Sequence, residues 1–155
     1  MQVDPFTKFE KDWALLTAGT KDRFNSMTIG WGSLGTVWNK DVLTVYVRPD
    51  RYTWQFMKDS DVFTVSFYPE SCREALILMG RLSGRDGDKV AAAGLTPRFL
   101  PEGITFGEAS ETFVCRKIYM APMAYGDVPP VAQRIYQNGV QPHWIIMGEV
   151  TEHLS

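Results

Sequence analysis

The chain has 155 residues, 45% hydrophobic and 22% charged, with a formal net charge of −2, enough for one domain burying roughly 70% of its unfolded surface. That balance gives no electrostatic basis for binding nucleic acid or an anionic membrane, and no apolar stretch approaches the ~20 residues of a bilayer span. Cys72 and Cys115 form no CxxC and fit neither a zinc site nor a disulfide framework; with no basic leader in Met1–Pro5, they predict reduced, buried thiols in a cytoplasmic protein.

Period-two alternation dominates the elements. Trp13 to Ala18 is the first predicted strand, ended by Gly19 and a polar turn through Asp22. Phe24 to Trp31 is the second, interrupted by Gly30 and Gly32. Asn39-Lys40-Asp41 reads as a turn into Val42–Val47, where Leu43, Val45 and Val47 share one face and Thr44 and Tyr46 the other. Tyr52 to Lys58 allows two helical turns, and Val62 to Phe67 is again an alternating strand. Glu70 to Leu82 carries Ala75, Leu76, Met79 and Leu82 at helical spacing, and Gly84 stops it. Asp88 caps a turn through Ala93, Pro97 to Gly107 is a loose connection, and Thr112 to Met120 is a long strand. A short helix over Val131–Gln137 and a strand over Trp144–Val150 complete the set. Six strands with small interposed helices predict a mainly β fold, a barrel with α decorations.

Familiar catalytic signatures fail on context. Gly30-x-Gly32-x-x-Gly35 has the spacing of a dinucleotide fingerprint. That fingerprint needs a helix after its last glycine, and only Thr36 to Asp41 separates Gly35 from the next strand. Ser33 lacks the preceding glycine and following helix of a nucleophile elbow. His143 and His153 belong to no HExxH or Cys/His cluster, so no metal site is expected. His143, beside Trp144, is open between a surface residue and a contact to a ligand edge.

Two blocks carry the positive signal. Asn25-Ser26-Met27-Thr28 is rich in small and hydroxyl residues. Asn25 and Ser26 offer side-chain hydrogen bonds and Met27 and Thr28 backbone ones to a flat polar ring, with Gly30 and Gly32 allowing close approach. Trp31 either walls that ring or packs in the core. In Arg48-Pro49-Asp50-Arg51-Tyr52-Thr53, two guanidiniums and a hydroxyl gather where a strand gives way to a helix, a suitable place for a phosphate. Arg48 reads equally as a solvated surface residue. Lys89, after Ser83-Gly84-Arg85-Asp86-Gly87-Asp88, is either a further cation for that anion or a surface ion pair with Asp86 or Asp88. A polar ledge for a ring beside an anion clamp describes a mononucleotide pocket.

Together, from about Trp13 to Glu149, these segments resemble the flavin reductase-like family of FMN-binding split barrels, flavoredoxins included. The resemblance implies a Greek-key-like antiparallel split β-barrel with short α-helices, forming a single domain over 1–155. It implies non-covalent FMN, with Asn25, Ser26, Met27, Thr28 and Trp31 at the ring and Arg48, Arg51, Tyr52, Thr53 and Lys89 toward the phosphate. The implied activity is reduction of flavin by NAD(P)H, with hydride passing to flavin N5. The cofactor carries that chemistry, so no acid/base pair is required. The alternative is an FMN-binding electron carrier without NAD(P)H activity. A homodimer is also expected, both from the resemblance and because Thr112–Met120 is apolar on both faces, one more than a barrel interior needs.

Overall fold

A computed structural model describes residues 4–155; Met1–Val3, part of the leader reading, lie outside them. Among the described residues the nine strands are β1 (Ala14–Gly19), β2 (Phe24–Ile29), β3 (Gly32–Val37), β4 (Lys40–Val47), β5 (Val62–Phe67), β6 (Pro97–Phe99), β7 (Ile104–Phe106), β8 (Glu111–Pro122) and β9 (Trp144–Leu154). The helices are α1 (Pro5–Thr7), which runs into a π-helical turn over Lys8–Asp12, α2 (Thr53–Asp59), α3 (Arg73–Arg81), α4 (Lys89–Ala93) and α5 (Pro130–Gln133). Among the described residues no helix is long and apolar enough to cross a membrane.

Seven strands form one antiparallel sheet in the order β2-β1-β5-β8-β9-β4-β3. Its two edges, β2 and β3, are consecutive in the chain and joined by Gly30 and Trp31 alone. A link that short spans about 10 Å, so the sheet curls until its edges meet, giving a barrel split along one seam. The β4–β9 pairing, with Val42 opposite Glu149, brings the ends of the chain's long excursion together.

Strand alternation sets the layers. Leu16, Met27, Leu43, Val45, Phe63, Val65 and Ile146 turn into the barrel. Leu15 faces outward instead, packing with Leu76 and Met79 of α3 and with Tyr68, Leu95 and Phe106. The second apolar face of β1 is therefore covered by a helix and a hairpin of the same chain.

Three segments differ from the sequence reading. Pro97–Gly107, expected to be loose, contains the β6–β7 hairpin, turned at Gly103 with φ 92°. Its strands are three residues each, too short for periodicity to register. Ile104 and Phe106 are nonetheless buried, and Thr105, Ser66 and Thr112 close a ring of buried hydroxyl hydrogen bonds at 2.7–2.9 Å. Gly32–Val37 forms the edge strand β3, paired along β4. It lacked a strand signature because it is glycine-rich and largely solvent-facing. Asp4 caps α1 by accepting from the Phe6 and Thr7 amides, and the helical segment seats the Phe9 ring on Gly32, where a Cβ would lie 2.4 Å from it.

The expected surplus face of β8 is partly a correction too. Phe113 and Cys115 enter the barrel core, and Val114 on the opposite face is buried beneath the Gly103 turn. Cover for these residues comes from the chain itself. Past a register shift between Lys117 and Tyr119, exposure returns: Tyr119 and Trp38 lie in the open, ring centroids 6.2 Å apart. Lys8 and His153 both bond Glu111, tying the first helical segment and the end of β9 to the start of β8.

Candidate functional site

The turn after β4 builds the first wall of a cleft. Arg51 N–H donates to the Arg48 carbonyl at 3.1 Å, with Pro49 at the position whose fixed φ suits such a turn. Arg48 and Arg51 therefore project to one side, just before α2. Thr53, the first residue of α2, is buried, and its hydroxyl accepts from Asn25 Nδ2 at 2.8 Å.

The second wall follows α3. Its closing carbonyls would be left without partners by the extended exit at Leu82. The buried Lys89 ammonium supplies the partners, donating to Met79 O at 3.0 Å and Leu82 O at 3.3 Å. Burial, with Arg51 nearby, lowers the Lys89 pKa to about 8. Gly84 lies so close to the first wall that a Cβ would sit 2.2 Å from Asn25 Oδ1 and 3.0 Å from Tyr52 Cδ2. Glycine is required there by space.

Between the walls lies a cleft of about 310 Å³. Five cations line it, Arg48, Arg51, Arg81, Arg85 and Lys89, against one carboxylate, Asp50. Asp50 is already engaged by Arg48 at 3.1 Å. Desolvation and the nearby Arg48 both work against the Arg51 charge. An anion between the guanidiniums would relieve that opposition, so the donor set fits a phosphate.

Gly80 leads from this cleft to a hollow of about 300 Å³ bounded by Trp13, Thr28, Gly30 and Ile77. Trp13 is held there with φ 62°, its ring under the Arg73 guanidinium at 3.4 Å. Gly30 opens in turn on a third hollow of about 510 Å³, lined by Phe6, Phe9, Trp31, Leu34, Tyr46 and Met123. Each hollow shares one lining glycine with the next, Gly80 and then Gly30, and this series is the trough at the barrel seam.

Of the sequence-assigned residues, Asn25, Arg48, Arg51, Tyr52, Thr53 and Lys89 share the cationic cleft. Thr28 lies in the middle hollow, its hydroxyl bonded to the Leu76 carbonyl. Trp31 stands in the far hollow, half exposed and outside any strand. Two side chains do not reach the trough: Ser26 Oγ bonds Thr17 Oγ1 at 2.8 Å on one face of β2, and Met27, on the opposite face, enters the core. Only backbone groups of those two could meet a ligand, and β2 pairs on one side only, as a sheet edge.

The trough has residues that no assignment covered. Arg81 and Arg85 line the cleft although only their neighbours read as ligands, and Trp13 reads in sequence as ordinary strand. The signal was present for Arg85, inside the Ser83–Lys89 motif. His143 packs on Trp31, ring centroids 4.6 Å apart, and shares a 2.7 Å hydrogen bond with Tyr136. Burial and the nearby Arg48 lower its pKa to about 4, so its ring is neutral at pH 7.

Residues 6–154 match the sequence profile of the flavin reductase like domain. The chain belongs to this family. A flavoredoxin from Methanosarcina acetivorans has the same fold as this flavin reductase-like chain, with TM-score 0.72 at 20% identity over 93% of this chain and 68% of that one. An FMN-binding protein from Thermus thermophilus, solved with bound 1-cyclohex-2-enone, gives TM-score 0.74 at 17% identity over 100% of this chain and 78% of that one. A split barrel domain from Shewanella frigidimarina gives 0.72 at 15% identity, covering 92% and 66%. No curated protein matches the chain. The split-barrel fold expected of a flavin reductase-like domain is thus the one observed.

Proposed function

We propose that the chain binds FMN non-covalently along the seam and acts as an oxidoreductase that reduces this flavin with electrons from NAD(P)H. The observation that carries the reading is the cationic cleft opening into a trough at an edge strand. Arg51, Arg48, Arg85 and Lys89 would hold the phosphate, with Asn25 and Thr53 beside it. Thr28, Gly30 and the free backbone edge of β2 would face the ring, between Trp13 and the Trp31–His143 pair. Once bound, the flavin supplies hydride acceptance and onward electron transfer. The protein's work is binding, orientation and exclusion of water. Neutral His143 adds no positive charge to this end of the trough, and the aromatic walls keep it apolar.

A second reading, an FMN-binding electron carrier, is favoured by the likeness to a structure described as a flavoredoxin. One experiment separates the two. FMN is titrated into the apo-protein and fluorescence quenching recorded, then NADH or NADPH is added without oxygen. Saturable quenching followed by bleaching of the visible band supports the reductase. Quenching without bleaching supports the carrier, and no quenching at micromolar protein sinks both.

The same reading includes a homodimer in the cytoplasm. Trp38 and Tyr119, exposed beyond the bulge in β8, offer the apolar surface for it. Light scattering at micromolar concentration tests it, and a monomer that still binds FMN tightly refutes it.

A further inference from the structure

The far hollow, at the other end of the trough from the cationic cleft, has a chemistry of its own. It measures about 510 Å³, within the range of small-molecule sites, and meets the middle hollow at Gly30. Phe6, Phe9, Trp31 and Tyr46 give it aromatic walls. Among the described residues Glu10 is the one charged side chain that lines it, whereas five cations line the cleft. The trough is therefore polarised along its length, anion-binding at one end and anion-repelling at the other.

The N-terminal helical segment supplies Phe6, Phe9 and Glu10 to this hollow, and it is pinned to the barrel at three points. Lys8 bonds Glu111, which His153 also bonds at 2.7 Å. Phe9 is buried, its ring edge-to-face with Phe67 at 5.4 Å. Arg73 donates to the Lys11 and Asp12 carbonyls where the segment ends. A wall held in this way gives the hollow a preformed shape, and a preformed site costs a ligand little ordering.

Such walls select a flat, uncharged, largely apolar molecule. Tyr46 and Ser33 bring hydroxyls to the hollow, which can donate to carbonyl oxygens. A quinone has the matching combination, a flat ring to lie against aromatic side chains and two carbonyl oxygens to accept hydrogen bonds. It also takes up two electrons, the number a reduced flavin delivers. A nicotinamide donor carries a pyrophosphate as well, for which the hollow offers no cation.

We propose that the far hollow is the site of the electron acceptor and that this acceptor is a neutral quinone. The inference rests on the flavin reading above and names the substrate class that reading leaves open. The overall reaction takes NAD(P)H, a proton and the quinone to NAD(P)+ and the hydroquinone. Two electrons and two protons reach the quinone, its two carbonyl oxygens become hydroxyls, and the flavin ends as it began.

Two positions test the hollow without touching the residues assigned to the flavin. Ser33 is exposed on the edge strand β3, and Glu10 is exposed on the helical segment. Both line the far hollow and neither lines the cationic cleft or the middle hollow. Ser33→Trp fills the hollow, and Glu10→Lys reverses its charge.

The experiment is equilibrium dialysis of the FMN-loaded chain against duroquinone, which is neutral, and against a naphthoquinone sulfonate, at low ionic strength where surface charge is least screened. The native protein should bind duroquinone saturably and the sulfonate at least tenfold more weakly. Ser33→Trp should weaken duroquinone tenfold or more while FMN stays within twofold. Glu10→Lys should strengthen the sulfonate severalfold and leave duroquinone within twofold, and it covers the case in which the larger side chain disturbs β3. No saturable binding of duroquinone, binding indifferent to Ser33→Trp, or a sulfonate bound as tightly as duroquinone overturns the acceptor site. So does displacement of duroquinone by NAD+, which would give the hollow to the nicotinamide. Failure of FMN itself to bind overturns the flavin reading, an outcome distinct from FMN binding without duroquinone.

Discussion

Asn25 donates a 2.8 Å hydrogen bond to Thr53, joining the two sequence blocks that were assigned to opposite ends of one ligand. Asn25 therefore stands on the wall of the cationic cleft, at the phosphate end, and the ring end of the trough begins at Thr28. The bond also locks β2 to the first turn of α2, so the edge strand and the arginine turn hold a common frame.

Arg51→Ala should weaken FMN far more than riboflavin, which lacks the phosphate. Loss of one charge-assisted contact costs about 1.5–3 kcal/mol, roughly tenfold or more in affinity. Paired titrations check this, and equal weakening of both ligands would place the role of Arg51 in folding.

Gly84→Ala should cost both stability and flavin affinity. The added methyl collides with Asn25 and Tyr52, and Asn25 is held by Thr53, so relief requires a backbone shift. Overpacking of this kind costs about 1–3 kcal/mol. Urea unfolding of the variant measures it; an unchanged midpoint would contradict the close approach.

Lys89 gives FMN binding a pH dependence. Its ammonium begins to lose its proton near pH 8 in the folded protein, so FMN affinity should fall as pH rises from 7 to 9, and riboflavin affinity should not. Because the folded pKa lies below the ordinary 10.5, the unfolded chain binds more protons between those values. The Lys89 contribution to stability of the apo-protein therefore rises with pH across that window. Lys89→Met should flatten the FMN profile. It should also loosen the end of α3, since two carbonyls lose their donor.

His143 acts at the acidic end. Its folded pKa of about 4 lies below the ordinary 6.5. Stability is fully present above pH 6.5 and is lost as pH falls toward 4, because the unfolded chain takes up the proton first. By pH 5 the loss is about 1–2 kcal/mol, allowing for partial exposure. His143→Gln should remove that component. Unfolding midpoints at pH 7.5 and 5 for both proteins decide it, and parallel losses would refute it.

Much of the barrel was legible because its central strands alternate cleanly. Val62–Phe67 is a strand with the bounds expected of it, and Val42–Val47 forms most of β4. What periodicity could not show was short or glycine-rich. β3 stabilises the seam through ladder pairing while its side chains stay largely in solvent, and β6 and β7 span only three residues each. At the site, the arginine turn and the glycine–lysine loop were readable as an anion clamp from charge and turn chemistry. The face on which each β2 side chain would fall was not. The Ser26 hydroxyl reads in sequence as a ligand contact, but its partner Thr17 lies on a neighbouring strand, and only the β1–β2 register reveals that. In sequence, Lys89 reads as either a ligand cation or a surface ion pair. Its bonds to α3 carbonyls depend on two helices meeting at their ends, which local sequence does not encode.

The pairing of Val42 with Glu149 bears on how the chain is made. β4 leaves the ribosome early, yet its central neighbour β9 is made only after the eight other strands described above. Until then β4 can pair only with β3, and its other side presents unsatisfied N–H and C=O groups along an apolar strand. Such an edge is a template for pairing with a second nascent copy. Because barrel closure waits for a contact of very long sequence separation, folding should be slow for a domain of this size. Crowded synthesis on one message would then favour strand exchange between neighbouring chains, with β9 of one completing the sheet of the other.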